Sequence, residues 1–339
     1  MRPKIAIVNS SSFGKLFPEH MEKLSVFAEI RRLNLHAQIS PAELIPELQG
    51  LHGIITSITP RFSAEVLRCL PHLVSIVRHG ISVSNVDIKS ATMCGICVSH
   101  VPGIVEREAV AEHAVCLMLS ASRQIFPANK AVHKLSWNSR AQFIGIELKE
   151  KRIGLVGFGN VGKRIADILK KGFGCEVIAF DPFIPESDFL EHDVKRVTFK
   201  ELLTTSTVIS LHCSLNDSNH NCLGAAEFAM MKKGVILINT SCPELIDEKA
   251  LVGALSQGFI GAYATDVIEG APQISADNAL LKLPNVIVVP HLGAYTYESL
   301  KGMGDSAVKD MQDIFVDNVF PADVANRDVI SKGLKEWRR

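Results

Sequence analysis

A glycine-rich segment in the middle of the chain constrains the fold more than any other feature. Residues 151–164 read KRIGLVGFGNVGKR, so an apolar run leads into the pattern Gly157-x-Gly159-x-x-Gly162, and helical spacing of apolar residues follows. In such a strand–turn–helix unit, the first glycine permits a tight turn and the second lets the main chain approach a pyrophosphate. The third allows the helix to pack closely on the strand. The pattern predicts a parallel α/β fold with a dinucleotide-binding site.

An acidic residue further along the chain indicates which dinucleotide is bound. The apolar run 177–180 ends at Asp181, and an acid about 20 residues beyond the third glycine accepts hydrogen bonds from the adenosine ribose hydroxyls. Its charge would repel a 2′-phosphate, so we expect NAD rather than NADP. The N-terminus of the helix offers its unpaired N–H groups to the phosphates. The cofactor residues predicted from this unit are Gly157, Phe158, Gly159, Asn160, Val161, Gly162 and Asp181.

Apolar strand-like runs alternate with helical patterns, which is typical of parallel sheets with crossover helices. The predicted strands of a first set are 5–8, 37–39, 53–58, 73–77 and 96–101, with helices that include 18–33 and 63–69. Those of a second set are 153–156, 177–180, 208–211, 235–238, 261–264 and 286–289, with a helix over 162–171. The fold class expected is therefore α/β, and the 339 residues suggest about two domains.

A helix predicted over residues 109–125 separates the two sets and is apolar on most of its faces. A helix of that kind is usually buried between domains or subunits, so we expect it to begin a second domain and to be a candidate dimer element. The last predicted helix, 298–316, is expected to cross back to the first domain. The domains expected are 1–104 with 296–339, and 105–295.

Composition excludes several classes of protein. Lys and Arg total 36 and Asp and Glu total 36, and this balance argues against a general nucleic-acid binder. No uncharged apolar stretch is long enough to span a membrane, and the N-terminal apolar run is too short for a signal peptide. The eight cysteines are scattered through the chain, which favours a reducing, cytoplasmic location. We expect no metal site, because the Cys94–Cys97 pair lacks a second pair of ligands.

Six further motifs are more specific than the glycine pattern. With them the chain resembles the D-isomer-specific 2-hydroxyacid dehydrogenases, particularly the phosphoglycerate-dehydrogenase-like members, over nearly all of its length. The motifs are RHGISVSNVD at 78–87, VAEH at 110–113, LHCSL at 211–215, INTS at 238–241, ATDV at 264–267 and PHLG at 290–293. The resemblance implies doubly wound parallel sheets in two Rossmann-like domains, a flavodoxin-like substrate domain and an NAD-binding Rossmann domain. It also implies an active site in the cleft and a homodimer formed through the NAD-binding domain.

The resemblance further implies a reaction and the residues that perform it. Hydride passes between NAD(H) and a small 2-hydroxy acid, a histidine paired with a glutamate moves the hydroxyl proton, and an arginine binds the substrate carboxylate. His291 matches the histidine. The substrate loop is matched by His79, Gly80, Ile81 and Ser82, and the remaining cofactor loops by His212, Cys213, Thr240, Asp266, His291 and Gly293.

Two of the three reacting side chains are replaced. The family pattern has Arg-Gly after Asn-Thr-Ser, whereas this chain has Cys242 and Pro243. The family glutamate falls on Ala271, whose register is fixed by Pro272. Glu269 lies two residues early, where the family often carries an extra acid, so we do not assign it the role of the missing glutamate.

Three functions follow from these replacements. In the first, the chain is an NAD-dependent oxidoreductase in which Arg78, Arg107 or main-chain amides hold an altered substrate; a surface ion pair is the alternative role for Arg107. In the second, it is a non-catalytic NAD-binding sensor or regulator. In the third, Cys242 is a nucleophile toward an aldehyde, which requires a thiol pKa lowered by nearby positive charge.

Overall fold

The computed structural model describes residues 2–336, and these form two compact units. Unit 1 contains the chain up to Glu106 together with the residues from Thr296 onward, and unit 2 spans Arg107–Tyr295. Each unit contains one parallel sheet with helical crossovers. The predicted α/β class with doubly wound parallel sheets is therefore confirmed.

Twelve strands and twelve α-helices are described in residues 2–336. The strands are β1 Lys4–Val8, β2 Glu29–Leu33, β3 Gly53–Thr56, β4 Ser75–Arg78, β5 Cys97–His100, β6 Arg152–Val156, β7 Glu176–Phe180, β8 Lys195–Arg196, β9 Val208–Leu211, β10 Val235–Asn239, β11 Ile260–Thr265 and β12 Val286–Val288. The helices are α1 Glu19–Phe27, α2 Pro41–Leu48, α3 Ala64–Arg68, α4 Ile88–Met93, α5 Gly103–Ser122, α6 Ile125–His133, α7 Asn160–Phe173, α8 Glu186–Glu191, α9 Phe199–Thr205, α10 Ala225–Met230, α11 Glu248–Ser256 and α12 Tyr297–Gln312.

The sheet of unit 1 has the order β2-β1-β3-β4-β5, and every pairing is parallel. Strands β3 and β4 are buried along their whole length. Helix α12 contributes Ala307 and Met311 to the core of this unit. The last helix thus packs in unit 1, and a π-helical turn at Asp313–Asp317 follows it.

One region of unit 1 differs from the prediction. Helix α1 ends at Phe27, and the predicted helix over 18–33 is wrong beyond that point because β2 follows at Glu29–Leu33. The predicted strand at 37–39 does not form. The error has a physical reason: β2 is an edge strand that pairs with β1 alone, so its sequence EIRRL needs little apolar surface and resembles a polar helix face.

The sheet of unit 2 has the order β12-β11-β10-β9-β6-β7-β8, again with parallel pairings. The predicted strands of the second set all form, and the two-residue edge strand β8 is an addition. Strand order reverses between β6 and β9, which creates the topological switch point where α/β sheets bind ligands at the carboxyl ends of the strands. The loops after β6, β7 and β9 therefore meet at one edge.

Helix α5 begins earlier than the predicted helix and ends at Ser122. Its buried residues Ala114, Leu117 and Met118 belong to the core of unit 2. Large apolar side chains are exposed in the segment after it: Ile125, Phe126, Leu135, Trp137 and Ile144. Within the described chain, no helix is both long and apolar enough to cross a membrane.

Candidate active site

Two glycines of the loop after β6 are required by the protein's own packing. Gly157 has a φ of 98°, and a Cβ there would lie 2.5 Å from the carbonyl carbon of His212, directly after β9. A Cβ at Gly162 would collide with the carbonyl oxygen of Gly157. These contacts bring β9 and the start of α7 against the loop, and any side chain at either position would separate them.

Gly159 differs, because a Cβ there would meet no atom of residues 2–336 within 4 Å. A side chain at this position would clash with nothing in the described chain, unlike one at Gly157 or Gly162. Helix α7 begins at the next residue, Asn160, and is 14 residues long. Its first N–H groups, those of Asn160 and Val161 included, have no partner within the helix, and a helix N-terminus beside open space suits a pyrophosphate.

The carboxylate of Asp181 lies beside the same loop. Its two oxygens accept hydrogen bonds from the main-chain N–H groups of Phe158 and Phe183, each at 2.9 Å. These bonds fix a negative charge at the carboxyl end of β7, next to the glycine loop. A carboxylate held in this way suits ribose hydroxyls and disfavours an added phosphate.

The next loop, after β9, presents neutral groups. The His212 N–H donates to the carbonyl of Val156 at 2.7 Å, and its ring Nε2 lies 2.7 Å from the Ser210 hydroxyl. Burial lowers the pKa of His212 to about 3 and raises the pKa of Cys213 to about 12. Near neutral pH both side chains are uncharged, so this wall of the site adds no charge.

Two buried polar atoms at the ends of β10 and β11 have no hydrogen-bond partner among the described residues. They are Oγ1 of Thr240 and Oδ1 of Asp266, and Asp266 is only 5% exposed. A buried, unsatisfied polar atom costs about 1–3 kcal/mol. Such atoms indicate polar groups of a ligand, and a carboxamide such as that of nicotinamide, with one donor and one acceptor, matches the pair.

The structure brings His291, Asp266 and Gly293 together. His291 follows β12 in a left-handed conformation with φ 47°, and its N–H donates to the Asp266 carbonyl at 3.0 Å. The Gly293 N–H donates to Oδ2 of Asp266 at 2.8 Å. The His291 side chain is exposed, so its imidazole is available to a substrate.

A second histidine, which the sequence analysis did not assign, lies against Asp266. Nε2 of His113, on α5, is 3.7 Å from Oδ2 of Asp266. Burial lowers the pKa of His113, the charge of His291 lowers it further, and Asp266 opposes the shift. The match of residues 110–113 to the VAEH motif was the one available signal, and it indicated a helix rather than a site.

Cys242 occupies the arginine position, between β10 and a 3-10 turn at Pro243–Leu245. Its half-buried thiol packs against apolar core residues, and burial raises the pKa of the Cys242 thiol. The nucleophile hypothesis requires the opposite shift, produced by a nearby positive charge. The structure therefore does not supply the condition on which that hypothesis depends.

Ala271 is exposed and presents a methyl group at the glutamate position. Glu269 lies near Glu248: burial raises the pKa of Glu248, and the charge of Glu269 raises it further. Neither Ala271 nor Glu269 pairs a carboxylate with His291 as the glutamate of the family pattern would.

The substrate-loop residues of unit 1 divide into a buried and an exposed pair. Arg78 and His79 are each 5% exposed, and the Arg78 guanidinium donates to the carbonyl oxygens of Thr56 and His79. Gly80 covers it, because a Cβ there would lie 2.9 Å from Nη1 of Arg78. Ile81 and Ser82 are exposed. Arg78 is thus engaged inside unit 1, while Ile81 and Ser82 are accessible.

The Arg78 charge also faces a buried acid. Burial raises the pKa of Glu106 to about 7, and Arg78 opposes the shift. Arg107 has a different environment in unit 2: it bonds Glu108 at 2.8 and 3.0 Å, and Glu108 also accepts a bond from Arg164 at 2.6 Å. This is the surface ion-pair role that the sequence left open for Arg107.

Comparison with known proteins gives a family model that matches most of unit 2 and relatives that match most of the chain. Residues 115–293 match the family model described as "D-isomer specific 2-hydroxyacid dehydrogenase, NAD binding domain". A D-3-phosphoglycerate dehydrogenase of Archaeoglobus fulgidus is 36% identical over 293 residues, which cover 86% of this chain and 54% of the relative. A glyoxylate reductase of Thermococcus litoralis is 31% identical over 338 residues, covering 98% of this chain and 99% of the relative. The chain thus spans about half the length of the first relative and nearly all of the second.

Solved structures show the same fold. A glyoxylate reductase from Paecilomyes thermophila superposes with a TM-score of 0.83 at 27% identity, covering 96% of this chain and 99% of the other. The PH0520 protein from Pyrococcus horikoshii superposes with a TM-score of 0.79 at 28% identity, covering 98% of this chain and 97% of the other.

Proposed function

The chain belongs to the D-isomer-specific 2-hydroxyacid dehydrogenase family, and on that premise we propose that it is an oxidoreductase acting on a small 2-hydroxy or 2-oxo acid, or a related small substrate. Its cofactor is NAD(H), as the sequence predicted. One observation carries the proposal: Asp266 holds His291, the expected proton carrier, in the same unit that contains the dinucleotide loop.

Different residues of unit 2 bind different parts of the cofactor. The Gly157–Gly162 loop and the first N–H groups of α7 bind the pyrophosphate, and Asp181 binds the adenosine ribose. Thr240 and Asp266 bind the carboxamide. When bound, the nicotinamide accepts or supplies the hydride.

His291 moves the proton at the substrate oxygen. Its imidazole is exposed, and its main chain is fixed by two hydrogen bonds from one N–H, to Asp266 and Val289. Acid–base assistance of this kind contributes about 10²–10⁴-fold to a rate. Because Ala271 replaces the glutamate, no carboxylate at that position favours the protonated imidazole.

The substrate differs from that of an ordinary member in how its acid group is held. A neutral thiol at Cys242 cannot make the two parallel hydrogen bonds that an arginine makes to a carboxylate. We propose that the main-chain N–H groups of Ile81 and Ser82, both exposed residues of unit 1, bind an anion. Arg78 stabilises the loop from beneath rather than binding the substrate directly.

A second function, a non-catalytic NAD-binding sensor, is favoured by the paired replacements at Cys242 and Ala271. Calorimetric titration with NADH, followed by NADH absorbance measurements with a panel of 2-oxo acids, distinguishes the enzyme from the sensor. Turnover that His291→Asn lowers by at least about 10²-fold, with NADH binding retained, supports the enzyme. NADH binding without turnover on any acid supports the sensor, and binding weaker than millimolar defeats both.

We further propose a homodimer formed through unit 2. The support is the exposed apolar segment after α5 and a neighbouring apolar groove of about 480 Å³, lined in part by Val115, Leu119, Ile125 and Ile168. Trp137→Ser with Leu135→Ser should shift the mass measured by light scattering from dimer to monomer; a wild-type monomer would contradict the proposal. A cytoplasmic location is likewise proposed, supported by all eight cysteines, each within the described residues, being free thiols.

A further inference from the structure

Asp266 joins both ends of the short segment that carries His291. The Asp266 carbonyl accepts the His291 N–H at 3.0 Å, and Oδ2 of its carboxylate accepts the Gly293 N–H at 2.8 Å. Gly293 is packed tightly here, since a Cβ on it would lie 3.1 Å from the same Oδ2. The position of His291 therefore depends on where the Asp266 carboxylate lies.

The same carboxylate oxygen also faces His113. Nε2 of His113 lies 3.7 Å from Oδ2, and the two side chains are 18% and 3% exposed. This distance is too long for a direct hydrogen bond, but the low dielectric of a buried site strengthens the attraction between the charged carboxylate and the polar ring. Nε2 of His113 has no hydrogen-bond partner within the described chain, and the Asp266 carboxylate is the acid that it faces.

We propose that His113 is a positioning residue for His291: it holds the Asp266 carboxylate, which in turn holds both ends of the segment 291–293. The role as a positioning residue for catalysis rests on the proposed function, in which His291 is the proton carrier. The glutamate that would orient the imidazole is replaced by Ala271. The orientation of His291 therefore depends on its main chain, and the main chain depends on Asp266.

The groups around His113 determine which substitution should replace it. Burial keeps His113 uncharged near neutral pH, and His291 acts in the same direction against the opposing charge of Asp266. The Tyr263 hydroxyl also lies within range of the Asp266 charge. His113 thus presents an uncharged, polar ring edge to the carboxylate across 3.7 Å, without a direct hydrogen bond. Glutamine keeps a polar N–H group at this position, whereas phenylalanine fills the space without one.

The test is amide-proton exchange in the cofactor-free protein, measured by NMR. His113→Phe should speed exchange of the Gly293 amide about threefold, less than the loss of a full hydrogen bond to a charged group would cause. His113→Gln should restore the wild-type rate, and Glu112→Gln, exposed on the same helix, should leave it unchanged. Unchanged Gly293 exchange in His113→Phe overturns the proposal. Equal acceleration in β6 also overturns it, because that result means general loss of stability.

Asp266→Asn provides a second route should the phenylalanine variant fold poorly. This substitution should speed Gly293 exchange by itself, and adding His113→Leu to it should change nothing further, because the effects of coupled residues are not additive. In turnover, His113→Phe should lower kcat about threefold, less than the loss of a full hydrogen bond to a charged group, and should raise the KM for NADH by a smaller factor because Asp266 also binds the carboxamide in the proposed function. A wild-type chain that bound no NADH would defeat the proposed function, and the exchange rates would still decide the role of His113.

Discussion

The loop after β6 and the loops after β10 and β11 lie in the same unit but differ in what they retain. The first has every glycine of the dinucleotide pattern, and at Gly157 and Gly162 the structure shows which atoms exclude a side chain. The other two carry Cys242 and Ala271 where the resemblance predicts the arginine and the glutamate. Binding of the pyrophosphate depends on main-chain geometry, whereas turnover depends on charged side chains. The two properties can therefore change independently in one chain.

The largest effect should come from restoring the lost charges. Cys242→Arg combined with Ala271→Glu should raise kcat/KM for a simple 2-oxo acid by about 10²–10⁴-fold, the usual contribution of acid–base assistance. NADH absorbance at fixed pH measures it, and each single substitution serves as the control. If the double variant is no faster than wild type, the loops after β10 and β11 are not the cause of the difference.

Substitutions at two glycines of the loop after β6 should have different effects, one on stability and the other on NADH binding. Gly157→Ala places a Cβ 2.5 Å from main chain at a φ of 98°, so it should destabilise the fold by about 3 kcal/mol or more, as strained left-handed sites with clashes do. Gly159→Ala meets no described atom, so it should leave the melting temperature unchanged and weaken NADH binding. Gly172→Ala, exposed in α7, is the matched control. Equal stability losses at 157 and 159 would contradict this distinction.

The buried, neutral His212 in the loop after β9 predicts that the fold loses stability at acid pH. The folded-state pKa of His212 is depressed to about 3, so above pH 6.5 the ring is neutral in both the folded and the unfolded chain and does not lower the free energy of unfolding. As the pH falls from 6.5 toward 3, the unfolded chain binds a proton that the folded chain does not, and the free energy of unfolding decreases. At pH 5 His212→Gln should be about 2 kcal/mol more stable than wild type, and at pH 7.5 equal to it, since one pKa unit corresponds to 1.36 kcal/mol. Urea unfolding at the two pH values gives the difference; a gap that does not narrow at pH 7.5 would refute it.

Asp181 tests the charge that selects the cofactor. Asp181→Ala should weaken NADH binding about tenfold, the value of one charge-assisted bond, and should weaken NADPH binding much less. Calorimetric titration of both nucleotides measures the ratio. Parallel loss for the two cofactors would indicate that Asp181 acts by holding the Phe158 and Phe183 amides instead.

The smallest effect is expected at Cys242 itself. Since burial raises its thiol pKa, Cys242→Ser should change turnover and NADH binding by less than about twofold, as expected for a thiol that is not ionised. Loss of turnover in this variant alone, with NADH binding intact, would revive the nucleophile hypothesis.

Fold class, cofactor and most strands of unit 2 could be predicted because their signals are local. The apolar run of β6, the glycines and the start of α7 are contiguous, and buried parallel strands have no polar face to confuse them. The prediction was wrong at β2 because its signal is not local. An edge strand with one pairing partner tolerates the polar residues of EIRRL, so its sequence does not identify it as a strand. The site residues taken from the resemblance remain proposals, although the structure places His291, Asp266 and Gly293 in contact.

The sequence by itself determined that this chain folds as α/β and binds NAD, because a turn that holds a pyrophosphate is specified by a few consecutive residues. The tertiary structure alone decided that Arg78 supports its loop from inside unit 1, that Arg107 pairs with Glu108, and that His113 faces Asp266. Contacts between residues far apart in the chain, and the burial that shifts their charges, depend on how strands and helices pack. No pattern of neighbouring residues encodes that packing.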